Sequence, residues 1–125
     1  MKKAIKTDKA PAPIGPYNQA VMAGNTLYVS GQIPLNPASG ELVKGDVKEQ
    51  TRMVMENLKA ILAEAGLDFS HVVKCSIFIS DMKDFPLINE VYGSYFTENA
   101  PARETVQVAG LPLGVDVEIS CIAII

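Results

Sequence analysis

The hydrophobic positions of this chain change period several times, and each change marks an element. Over residues 46–65, apolar or small side chains fall at Val47, Thr51, Val54, Leu58, Ile61, Leu62 and Ala65. That spacing lines one face of a helix. Asp46 stands where a carboxylate can cap the first turn, and Gly66 where a left-handed residue can end the last. Over residues 72–80 the pattern alternates. Val73, Cys75, Ile77 and Ile79 share one face, and Val72, Lys74, Ser76, Phe78 and Ser80 the other, as a strand requires. The helical period returns over 84–97, where Phe85, Ile88, Tyr92, Tyr95 and Phe96 form an aromatic stripe and Pro86 falls in the first turn. Runs at 104–109 and 115–124 read as the last strands. In the final one Val117, Ile119, Cys121 and Ala123 oppose Asp116, Glu118, Ser120, Ile122 and Ile124.

Before the first helix the signals are shorter. Residues 2–6 suggest a strand. Ala10-Pro11-Ala12-Pro13-Ile14-Gly15-Pro16-Tyr17 is stiffened by three prolines, which hold a backbone extended without pairing it. Such a segment can deliver Tyr17 to a defined place, or Tyr17 can simply pack. Runs at 18–23 and 26–30 flank Gly24-Asn25, a hairpin signal. Gly31 follows the second run, where it suits either a bulge or the close approach of a ligand. Residues 36–40 read as a turn. The element order is strand, hairpin, helix, strand, helix, strand, strand. Two helices on one face of a mixed sheet make an α+β layer. The other face keeps Phe78, Ile122 and Ile124, and another copy of the chain is its simplest cover, so a homo-oligomer is expected.

Length and charge narrow the classes. The chain has 125 residues, enough for one domain with its own core. Eleven Lys and Arg against 14 Asp and Glu leave a net charge of −3 and no basic stripe for nucleic acid. No run approaches a membrane-spanning length, and the basic start lacks the apolar stretch of a leader. Cys75 and Cys121 sit singly in strand-like runs, as small buried hydrophobes of a reducing compartment do. With them goes one histidine, His71, placed at a turn, so no metal-ligand set is expected. These features lead to the expectation of a soluble cytoplasmic protein with no metal and no membrane contact.

Two residues look like chemistry. Arg103 follows a Pro-Ala corner and precedes a strand, which fixes its planar fork of donors. Glu118 interrupts an apolar run, where a carboxylate is costly unless paired or used. Taken alone, Arg103 fits an exposed ion pair as well as a ligand clamp, and Glu118 fits a solubility charge on an edge strand. Asn89, beside the aromatic stripe, can reach a ligand or only solvent.

Together, Ala12-Pro13-Ile14-Gly15-Pro16-Tyr17, Ser30-Gly31-Gln32-Ile33-Pro34, Asn57-Leu58, Asn89 with Tyr92, Pro101-Ala102-Arg103 and Val117-Glu118-Ile119 resemble the RidA/YjgF family of imine deaminases over nearly the full length. The resemblance implies the chorismate-mutase-like α+β fold, a homotrimer with clefts between subunits, and no cofactor. It implies hydrolysis of 2-imino acids such as 2-iminobutanoate and 2-iminopropanoate, which escape from pyridoxal-phosphate enzymes, to 2-oxo acids and ammonia. By position, Arg103 would grip the substrate carboxylate and Glu118 would steer or deprotonate water. Tyr17, Gly31, Asn89 and Thr105 would line the cleft. Thr105 stands where many relatives carry cysteine, so thiol chemistry is not expected there. A binder or chaperone-like regulator using the same cleft without turnover is the alternative. An RNA-cleaving inhibitor of translation is a third reading, and the acidic balance opposes it.

Overall fold

The structure is a computed structural model that describes residues 1–125. Strands β1 (Lys2–Ile5), β2 (Ala20–Ala23), β3 (Thr26–Gln32), β4 (Val72–Ile79), β5 (Ala102–Gln107) and β6 (Val117–Ile124) form one sheet in the order β1-β2-β3-β6-β4-β5. All neighbours run antiparallel except β4 and β5. That parallel pair is connected through helix α2 (Phe85–Gly93), as a parallel pair needs a crossover. Helix α1 (Val47–Glu64) packs on the same face of the sheet.

The core lies between the sheet and α1. Val54, Met55, Leu58, Ile61 and Leu62 of α1 meet Leu27, Ile77, Ile79, Val117 and Ile119 of the sheet, all removed from solvent. Each such side chain contributes about 1.5–3 kcal/mol by leaving water. The expected caps are present. Asp46 is extended and its Oδ1 accepts the Lys48 N–H at 2.9 Å, and Gly66 takes φ +77 just past the helix end. Gln50 and Asn57 are buried on the same face, which hydrophobic spacing alone did not reveal. Asn57 donates to the carbonyls of Ile33 and Leu35, and Gln50 to Asp116 Oδ2, so both tie loops to the helix.

Some boundaries differ from expectation. The second helix ends at Gly93 rather than at residue 97. There the amides of Ser94, Tyr95 and Phe96 bond three residues back, and the Ser94 hydroxyl donates to the Val91 carbonyl. The helix therefore tightens and unwinds while Tyr95 and Phe96 still pack on Phe69. Strand β5 starts two residues early, because parallel pairing already begins at Lys74–Ala102. Arg103 therefore sits inside the strand, not at its mouth. Strand β6 starts two residues late, after a turn at Pro112–Gly114 in which Leu113 takes φ +57. In β4 an irregularity between Val72 and Lys74 turns Val72 to the core and Val73 outward, reversing their expected faces.

The sheet face away from the helices has no layer over it. Across it run Val21, Tyr28 and Ile122 in one row and Val106, Phe78 and Glu118 in another. Tyr28 and Val106 are exposed, and Phe78 and Ile122 half-buried. No helix is long and apolar enough to cross a membrane.

Candidate functional site

Arg103 owes its position to β5. It lies level with Cys75 of β4, whose side chain faces the helices, so the guanidinium also turns to that side. There it rests on α2. Its carbon lies 5.0 Å from the Tyr92 ring centre and 5.5 Å from that of Phe85, and Nη1 donates to Asn89 Oδ1 at 2.7 Å. Cation–π contacts of this kind contribute about 0.5–2 kcal/mol and hold the fork in one plane. Arg103 forms no ion pair within its chain. The nearest candidate in sequence, Glu104, alternates to the opposite face and is taken by Lys74 Nζ at 2.8 Å and by Ser76. The remaining donors of Arg103 are thus left for an outside anion.

Thr105 shares the Arg103 face two residues on. Its Oγ1 and the Tyr92 hydroxyl are buried without a hydrogen bond. Burial pushes the Tyr92 hydroxyl far up, and does the same to the thiols of Cys75 and Cys121. These cysteines are free, buried and directly opposite one another in the sheet. Protonated and enclosed, they are poor nucleophiles.

Glu118 belongs to β6, on the open face. The β3–β6 register breaks between Val29 and Gln32, and Gly31 lies in that break. A Cβ on Gly31 would stand 2.1 Å from Glu118 Oε2. The glycine therefore makes room for the carboxylate, a role its place after a strand did not disclose. Desolvation alone raises the Glu118 pKa above its usual value. A raised carboxyl beside accessible space is suited to take a proton from water near neutral pH. The space is a concavity of about 380 Å³ lined by Ile14, Tyr17, Ser30, Ile33, Pro112 and Glu118. A second, of about 350 Å³, lies between residues 42–45 and 113–116. Its carboxylate, Asp116, is already bonded by Gln50 and Ser80.

The candidate residues therefore form two groups. Arg103, Asn89 and Thr105 belong to the helix side of the sheet, and Tyr17, Gly31 and Glu118 to the other. Arg103 is level with Cys121, so Glu118 is three residues along β6 and two strands across. At about 3.3 Å per residue and about 4.8 Å per strand, the two backbones are roughly 14 Å apart, with side chains on opposite faces. One chain does not bring both to one small ligand. Sequence reading saw Phe85 and Tyr92 only as core. Their role as the seat of Arg103 depends on which strand follows the helix in the sheet, and no local pattern carries that. No group of three or more His, Cys, Asp or Glu side chains is placed to hold a metal.

Residues 7–125 match the protein family described as Endoribonuclease L-PSP. Protein DfrA of Myxococcus xanthus is 60% identical, over 98% of this chain and 95% of its own. The 2-iminobutanoate/2-iminopropanoate deaminase of Mus musculus is 50% identical, over 99% of this chain and 92% of its own. Among solved structures, E. coli TdcF with bound serine superposes with a TM-score of 0.94 at 45% identity, covering 98% of each chain.

Proposed function

The chain belongs to the Endoribonuclease L-PSP family, the RidA/YjgF group that its motifs resemble, and from that membership we propose that it hydrolyses 2-iminobutanoate and 2-iminopropanoate to 2-oxo acids and ammonia. The observation that carries this reading is Arg103: a guanidinium seated on two aromatic rings, steadied by Asn89 and free of any carboxylate of its own chain. A 2-imino acid offers the planar carboxylate such a fork pairs with.

The site is completed between chains. Arg103, Asn89 and Thr105 of one copy face Tyr17, Gly31 and Glu118 of another across a subunit cleft, in the homotrimer that the resemblance implies. The apolar row on the open sheet face supports such an assembly. The substrate carboxylate pairs with Arg103. Glu118 accepts a proton from water as the oxygen attacks the imine carbon. The same carboxyl returns that proton to nitrogen, then takes the proton of the new hydroxyl as the carbonyl forms and the carbon–nitrogen bond breaks; ammonia leaves with that second proton as ammonium, beside the 2-oxo acid. A protonated imine is already electrophilic, so holding it, placing one water and relaying the two protons of that water are sufficient. General acid–base help contributes about 10²–10⁴-fold, and positioning more.

The test is the rate at which 2-iminobutanoate disappears in stopped flow. Arg103→Ala is expected to lower the acceleration at least about 100-fold while the oligomer stays folded. Undiminished acceleration in that variant removes the mechanism. Serine bound to TdcF favours a second reading, a small-molecule binder that holds amino or 2-oxo acids without turnover. Such a protein would saturate with 2-oxobutanoate and leave imine loss at its spontaneous rate.

A further inference from the structure

We propose that Gln19 is the positioning residue of the Glu118 half of the site: its side chain alone hydrogen-bonds the proline-rich segment to the body and so sets where Ile14 and Tyr17 stand. The proposal rests on the reading of Ile14 and Tyr17 as walls of the site. Gln19 is 3% exposed, immediately before β2. Its own carbonyl accepts the Ser30 N–H at 2.9 Å, which fixes its backbone to β3 beside Gly31. Its side chain then reaches back across the segment. Oε1 accepts the Thr7 N–H at 2.8 Å, and Nε2 donates to the carbonyls of Thr7, Ala10 and Pro11 at 2.9, 3.2 and 2.8 Å.

Those four contacts are the only hydrogen bonds from Thr7–Tyr17 to anything outside the segment. The others it makes stay within it: Lys9 N–H to Thr7 Oγ1, Tyr17 N–H to the Gly15 carbonyl, and Ile14 N–H to the Tyr17 hydroxyl. Ala10, 3% exposed, is its one buried side chain. Pro11, Pro13 and Pro16 stiffen the chain between this anchor and the Asn18 carbonyl, which accepts the Ser30 hydroxyl at 2.6 Å, so residues 14–17 are strung between two fixed points and the Gln19 side chain supplies the one at residues 7–11. Ile14 and Tyr17 are themselves 64% and 47% exposed, so burial does little to hold them. A glutamine suits the task because it accepts and donates at once, and the anchored backbone presents one N–H and three carbonyls.

The test uses the full-length protein and two substitutions. Gln19→Met keeps the length and loses every bond. Gln19→Glu keeps the acceptor and turns a carboxylate toward three carbonyls. In both, amide hydrogen exchange over residues 7–17 should quicken at least about tenfold while exchange in α1 and β6 stays as in the parent. The Kd for 2-oxobutanoate and the KM for 2-iminobutanoate should rise about tenfold, with kcat within about threefold. Unchanged exchange over 7–17 overturns the proposal, as does wild-type Kd and KM in a protein whose segment has loosened. A measurement on the unsubstituted protein guards against variants that do not fold. The Thr7 amide, bonded only to Gln19 Oε1, should exchange as slowly as an amide of the sheet, and exchange at the rate of an open loop also overturns the proposal. If the unsubstituted protein fails to hasten imine loss, the proposed hydrolysis falls, and the exchange data still decide for or against Gln19.

Discussion

Glu118 carries its consequences on a single atom pair. Its carboxyl is raised by desolvation, and Oε2 occupies the space that a side chain on Gly31 would fill. A carboxyl raised on folding binds its proton more tightly in the native chain. Its contribution to stability is therefore greatest below the unfolded value and is lost as pH rises through the folded one. Glu118→Gln removes that penalty and should raise the melting temperature at pH 7. In the parent, the acid limb of the imine-hydrolysis pH profile should lie above 4.5, the ordinary value for this group. In Glu118→Gln the limb should vanish together with most of kcat. A limb at or below 4.5, or one that survives the substitution, removes Glu118 as the base. Arg103 and Glu118 were visible in the sequence because charge interrupting an apolar or turn context is costly wherever it lies. What faces them was not visible. Gly31 is glycine because of a residue 87 positions away, and Gln19 lay within the run at 18–23 with nothing local to single it out.

Elements were more legible than contacts, since period and caps are local. Helix α1 matches its predicted span because both of its ends are written in side chains. Asp46→Ala removes the acceptor of the Lys48 N–H and should cost about 1 kcal/mol, or a few degrees of melting temperature, with imine hydrolysis unchanged. An equal loss of activity would mean that α1 is coupled to the site. The misread boundaries share a cause. Residues 94–97 keep an aromatic stripe that reads as helix, but their packing on Phe69 is achieved by a tighter turn. Strand β5 begins early because β4 offers it a parallel partner from Lys74 onward. The exchange of faces at Val72 and Val73 comes from a bulge, which alternation cannot encode.

For the molecule as a whole, the fold class followed from the order of elements, and Phe78, Ile122 and Ile124 led to the expectation of a second copy over the other sheet face. The partition of the site did not. Arg103 and Glu118 read along the chain as neighbours in one cleft, whereas the register sends them to opposite sides of one sheet. Strand order is a long-range property, and a one-residue change of register would have put them on the same side.

That partition has a genetic reading. On the proposed reading, Arg103→Ala and Glu118→Gln would each disable every cleft of a pure oligomer, yet each would supply the half that the other lacks. Co-expressed or exchanged in equal amounts, the two inactive proteins should complement. About a quarter of the clefts would pair an intact Arg103 with an intact Glu118, and imine hydrolysis should return to about that fraction of the parent rate. The double substitution in one chain, mixed with itself, should recover nothing.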